Sequence, residues 1–192
     1  MSAHIAWPDR VAEAPVHIYI GNGAEEILVP GYLTSILKTH GVKIVGVMLD
    51  ADTKPKGRYT SIRNLCLGIF PTLPDDLPNT GLIIDNEDGQ RLGVWVMPDN
   101  SSEGSLETFL RYLVPDKAEP LWQHGVESVA RAKKIGAACQ AHHDQKANLF
   151  TWLAWQDPPG QKPGIALTKK VLDPHAPSAV PFVTWFRELY GL

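Results

Sequence analysis

The chain has 192 residues, 44% of them hydrophobic, enough for one packed domain without disulfide or metal staples. Its formal net charge is −3, from 18 Lys and Arg against 21 Asp and Glu, which excludes a global basic field able to hold nucleic acid unaided. Only Cys66 and Cys139 are present, which argues against a disulfide framework or a zinc site, and no run approaches the roughly 18 apolar residues of a membrane span. A cytoplasmic protein with no membrane contact is the expectation.

Residues 1–14 read as an N-terminal extension and 15–192 as a single domain with a helical C-terminal part. His17-Ile18-Tyr19-Ile20 is a β-branched and aromatic run ending at Gly21-Asn22-Gly23, the pattern of a buried strand and a tight turn. The spacing of Ile27, Leu28, Tyr32, Leu33, Ile36 and Leu37 predicts a helix over 24–40, with Gly41 as its stop and Pro30 as a residue that must kink it or delay its start. Residues 43–49 are the strongest strand, apolar enough for a central parallel strand buried on both faces, and they run directly into Asp50. Tyr59, Ile62, Leu65, Cys66, Ile69 and Phe70 describe an amphipathic helix closed by Pro71, so strand and helix alternate as in a right-handed βαβ unit.

Residues 81–85 and 91–97 are strand-like and flank Asn86-Glu87-Asp88-Gly89, where Asp-Gly favours a hairpin. Further helices are predicted over 105–113, with Ser101 or Ser102 near its start, and over 120–141, 146–155 and 180–190, with Pro/Gly-rich joints at 157–164 and 173–181. The expected fold is α/β, a mainly parallel sheet with one antiparallel hairpin, flanked by helices.

In an open α/β sheet functional groups collect at the carboxyl ends of the strands, and that edge is expected to receive both the turn at 21–23 and Asp50. Asp50 and Asp52 alternate around Ala51, so on an extended strand end both carboxylates can face one hard cation, Mg²⁺ or Mn²⁺. A bare Asp-x-Asp is also common cap and turn chemistry.

Three segments in order, Ile18-Tyr19-Ile20-Gly21-Asn22-Gly23-Ala24-Glu25-Glu26, Gly46-Val47-Met48-Leu49-Asp50-Ala51-Asp52 and Gly104-Ser105-Leu106-Glu107-Thr108-Phe109-Leu110, resemble the motifs of the Toprim fold. The likeness is to nucleases of the overcoming-lysogenization-defect type and to a compact, uncharacterised Toprim-like family, whose C-terminal part the runs at 144–147 and 151–156 resemble. The resemblance implies a Toprim-like Rossmannoid sheet and a metal cluster held by Asp50, Asp52, Glu25 and Glu107. It also implies a catalytic pair of Asp50 and Lys146, whose ammonium would neutralise charge on a phosphate. One departure stands out: Gly21 occupies the place of the first-strand glutamate of active Toprim enzymes, and Asn22 that of the usual glycine.

The resemblance implies metal-dependent phosphodiester cleavage or nucleic-acid processing, with nucleic acid and a separate ATPase protein as partners and a link to phage defence. A catalytically degenerate domain acting as a binding or regulatory subunit is the alternative, and a small phosphorylated ligand is a third reading.

Blander readings stand beside these. Glu25 and Glu26 suit the first turn of any helix. Asp99 in Met97-Pro98-Asp99-Asn100 reads first as turn chemistry, and His142-His143-Asp144 as a solvated helix end, because adjacent histidines lack the chelating i, i+4 spacing. The tryptophans at 122, 152, 155 and 185 read as core packing or a partner interface before base-stacking platform. Lys54, Lys56, Arg58 and Arg63 form a basic group that suits phosphate approach, although surface cations beside a loop need no function.

Overall fold

A computed structural model describes residues 2–3, 16–21 and 23–192. The fold is α/β, built on a small mixed sheet of three strands in the order β3 (Ile44–Asp50), β5 (Arg91–Met97), β4 (Leu82–Asp85). The β3 and β5 strands are parallel, from Ile44 opposite Arg91 to Asp50 opposite Met97, while β4 and β5 form the expected antiparallel hairpin. Its turn is set by Asn86, whose side-chain oxygen accepts the Gln90 N–H at 2.8 Å, and by Gly89, which takes a φ of 74° that L side chains rarely adopt.

The central strand is β5, not β3. Leu92 to Met97 are all buried, and the period-2 alternation sends Leu92 and Val94 to one face and Trp95 and Met97 to the other. β3 lies at the sheet edge, where Met48 is 39% exposed, so its apolar run does not mark burial on both faces as expected. A continuous apolar run is equally compatible with an edge strand that has one covered face.

On one face Val47, Leu49, Leu92 and Val94 pack with α2 (Tyr32–Leu37) and with Tyr59, Ile62 and Cys66 of α3 (Pro55–Cys66). The predicted helix over 24–40 is two short ones, α1 (Ala24–Ile27) and α2, because Pro30 removes a donor and Gly31 adopts a left-handed φ of 90°. Gln90 ties this layer to the sheet by donating to the carbonyls of Leu37 and Val42.

The opposite face carries the helical C-terminal part: α4 (Leu106–Arg111), α5 (Glu119–Lys134), α6 (Asp144–Ala154), α7 (Pro163–Thr168) and α8 (Val180–Tyr190). Here α8 lies directly on the sheet, for a Cβ at Gly93 would come within 2.4 Å of the Leu189 side chain and one at Gly46 within 2.6 Å of the Tyr190 hydroxyl. Trp185 fills the adjoining space and donates its indole N–H to the Leu82 carbonyl at 2.9 Å. The tryptophans read as core are so at 122, 152 and 185, whereas Trp155 is partly exposed and stacks on His124. Helix α5 stops at Lys134, short of the predicted 141, and α7 forms beside a joint, started by Pro163 in its first turn.

The larger departure concerns the N-terminal segment. Strand β2 (Ile18–Tyr19) pairs antiparallel with β1 (Ser2–Ala3) as a separate two-stranded sheet, and among the described residues no ladder joins it to β3, β5 or β4. The expected unit running from β2 through a helix to β3 is therefore absent, and the parallel pair is instead β3 with β5. Asn22 of the turn at 21–23, and most of the extension read at 1–14, lie outside the described residues. No helix among those described is long and apolar enough to cross a membrane.

Candidate metal centre

At the carboxyl end of β3 the backbone draws a second segment onto the strand. The Ala51 N–H donates to the Met97 carbonyl at 3.0 Å, extending the ladder, and Asp52 and Gly104 then exchange two backbone hydrogen bonds of 2.8 Å each. Asp52 takes a left-handed φ of 51°, which an aspartate tolerates, and Gly104 one of 136°, which calls for glycine. This bridge sets the start of α4 beside Asp50. Its side-chain oxygen Oδ1 accepts the Leu106 N–H at 2.8 Å, so a donor left over at the helix start is satisfied by a carboxylate far away in sequence.

Helix α4 then presents Glu107, whose Oε2 accepts a 2.9 Å hydrogen bond from the Ser105 hydroxyl, while Ser105 donates its N–H to Thr108 Oγ1 at 3.2 Å. The predicted cap at Ser101 or Ser102 belongs to Ser105. On the other side, Pro55 starts α3 and places Arg58 in its first turns, where the guanidinium forms an ion pair and hydrogen bond with Asp52 Oδ2.

These charges act on Asp50. Burial pushes its carboxyl above the ordinary value, the Leu106 N–H opposes that, Glu107 and Asp52 push it further up, and Arg58 draws it back. The net direction is upward, with burial the largest cause and the neighbouring carboxylates a smaller one.

Of the expected site residues, Asp50, Asp52 and Glu107 are thus brought into one electrostatic group. Glu25 is not: it is exposed in the first turn of α1, and its neighbours Ile27 and Leu28 pack against the α3 face, whereas Asp50 shares the face of Gly46 and Met48. No hydrogen bond or charge interaction links Glu25 to Asp50. Lys146 is exposed in the first turn of α6, and no hydrogen bond or ion pair ties it to the acidic group. Asp99 is the turn residue it was read to be, for its Oδ1 accepts from the N–H groups of Ser101 and Ser102 at 3.1 and 2.7 Å. Burial works to raise its carboxyl, but these bonds outweigh it and hold it below the ordinary value. Asp144 is paired with Lys133 at 2.7 Å, and the adjacent histidines are exposed.

The donor set suits a hard cation, being carboxylate oxygen throughout. Among the described residues no three His, Cys, Asp or Glu side chains converge as a ready-made metal cage. Magnesium is commonly held by one or two carboxylates, with water and substrate phosphate completing its shell, and Asp50 with Asp52 fits that description. Arg58 occupies Asp52 as a protein cation where such an ion would bring its charge.

The sequence placed Arg58 only in a basic group that suits phosphate approach, and Gly104 only at the head of a motif, with no sign of its bridge to Asp52. The signal for Arg58 was Pro55, which fixes the helix start three residues before it, and the signal for Gly104 was its place just before the Ser105 cap.

A model of a family described as protein of unknown function (DUF3226) matches residues 2–191. Comparison with the curated proteins and with the solved structures returned no match.

Proposed function

The chain belongs to the DUF3226 family of proteins of unknown function, and from the chemistry of the β3 edge we propose that it is a Toprim-like, Mg²⁺- or Mn²⁺-dependent phosphodiester-processing protein. The observation that carries this reading is Asp50: one oxygen is oriented by the Leu106 N–H, and the carboxyl is held partly buried beside the carboxylates of Glu107 and Asp52. An added divalent cation would offset their charge.

Asp50 and Asp52 would hold the ion, with Glu107 in reach of its charge. When bound, the cation supplies Lewis acidity toward a phosphate and lowers the pKa of a coordinated water. Leu106 orients Asp50, Ser105 orients Glu107, and the Asp52–Gly104 bridge keeps the two acidic segments in register. Lys146 enters the proposal as an exposed cation in the first turn of α6 that would approach a bound phosphate. Nucleic acid is the proposed substrate, a separate ATPase the proposed partner because the chain carries no nucleotide-binding motif, and phage defence in the cytoplasm the proposed setting.

Cleavage of plasmid and single-stranded DNA in Mn²⁺ is the test. Wild type is expected to cleave and Asp50→Ala to lose at least about a hundredfold, the scale of removing an electrostatic contributor to a transition state. Equal rates from the two would sink the assignment.

A second reading is a binding or regulatory domain without turnover. It is favoured by Gly21, which offers no carboxylate, and by the position of Glu25 away from the acidic group. Mn²⁺ binding that depends on Asp50, with no cleavage under any divalent cation, would identify it.

A further inference from the structure

Resting on the metal reading above, we propose that Arg58 is the phosphate-binding residue of this site, exchanging the Asp52 carboxylate for a nucleic-acid phosphodiester once a divalent cation neutralises Asp52. A guanidinium has five N–H donors, and that of Arg58 has one hydrogen-bond partner, Asp52 Oδ2.

Three other arginines are committed more fully, while Arg187 also has a single side-chain partner, the Leu192 carbonyl, but lies far along the chain on α8. Arg63 donates to both the Pro74 carbonyl and Asp75, Arg91 grips Asp85 through two nitrogens, and Arg111 bonds Glu119 while lying over the Trp122 ring. Arg58 instead keeps donors to spare beside Asp50 and Asp52. Its side chain is 26% exposed, so the arm is held by the fold, while the Asp52 carboxylate it meets is 60% exposed and open to ligands.

A guanidinium and a hard cation compete for the same carboxylate oxygens. When the cation takes Asp52, Arg58 is left as a half-buried charge in need of an acceptor, and a phosphate diester offers the two coplanar oxygens that its fork matches. The exchange also keeps the local charge balanced, because each cationic group gains an anionic partner as the old pair parts.

The experiment compares wild type with Arg58→Gln and Arg58→Lys. Mn²⁺ binding is measured calorimetrically, and binding of a short oligothymidylate in Mn²⁺ is measured by stopped-flow fluorescence anisotropy, ahead of any cleavage, across a salt series. Arg58→Gln is expected to bind Mn²⁺ about two- to fivefold more tightly, having lost its internal competitor. It should bind the oligonucleotide about tenfold more weakly, with a salt slope smaller by about one. Arg58→Lys, which keeps the charge without the fork, should retain the salt slope and recover part of the affinity.

Unchanged Mn²⁺ affinity in Arg58→Gln, or an unchanged oligonucleotide salt slope, overturns the inference and leaves the metal reading standing. No Mn²⁺ uptake by either wild type or Arg58→Gln overturns both. Matching melting temperatures for the three proteins exclude misfolding as the cause of any difference.

Discussion

Two acidic segments that look alike in sequence are treated very differently by the fold. Asp50 ends a seven-residue strand in the main sheet and Asp52 follows just beyond it, and the Asp52–Gly104 bridge and the Asp50–Leu106 contact lock them to the segment that carries Glu107. Glu25 follows a two-residue strand in a separate sheet and lies exposed on a four-residue helix. Carboxylates become a site when a ladder fixes their register against another segment. A helix of one turn on a strand of two residues has no such anchor.

The strongest way to break that contrast is Gly104→Val. A Cβ there would sit 2.6 Å from Thr108 Oγ1 on a φ of 136°, so the substitution combines overpacking with backbone strain and parts the bridge to Asp52. A loss of about 3 kcal/mol in urea unfolding is expected, together with loss of Mn²⁺ binding in whatever fraction stays folded. A variant as stable as wild type would mean that the bridge does not organise the edge.

A smaller effect separates charge from geometry. Burial, then Glu107 and Asp52, raise the Asp50 carboxyl above its unfolded value, so the protonated form favours the fold. That contribution is complete below the ordinary unfolded carboxyl range and is lost as pH rises through the raised folded value. In chelator, Asp50→Asn should therefore melt higher than wild type at about pH 7, with the difference closing toward about pH 3. The Leu106 N–H can still be accepted by the asparagine oxygen. A higher melting point that persists unchanged at low pH would assign the effect to packing.

The smallest effect belongs to the other region. Glu25→Gln is expected to shift stability by no more than about 0.5 kcal/mol and to leave Mn²⁺ affinity at its wild-type value. A clear loss of affinity would bring α1 into the site and restore the four-carboxylate arrangement that the Toprim resemblance implies.

Much of the scaffold around the site was legible because local rules produce it. The hairpin follows from Asp88-Gly89, the strand into Asp50 from an apolar run, and α8 over 180–190 from helical spacing. The order of strands was not, since β3 and β5 carry similar apolar runs and only their neighbours decide which is central. Gly93 and Gly46 held an unread clue, as glycines facing one way on adjacent strands let α8 press onto the sheet.

For the site, residue type and spacing alone were enough to mark Asp50 and Asp52 as a pair able to face one cation, because alternation along a strand is a local property. Glu107 joins them, Glu25 stays apart and Arg58 takes up Asp52 through long-range events: a backbone bridge 52 residues apart in numbering, a helix start docked on a distant carboxylate, and a proline-set helix aimed back at the strand end. Such contacts depend on how separate segments meet, which short-range pattern does not encode, and only the tertiary structure decided them.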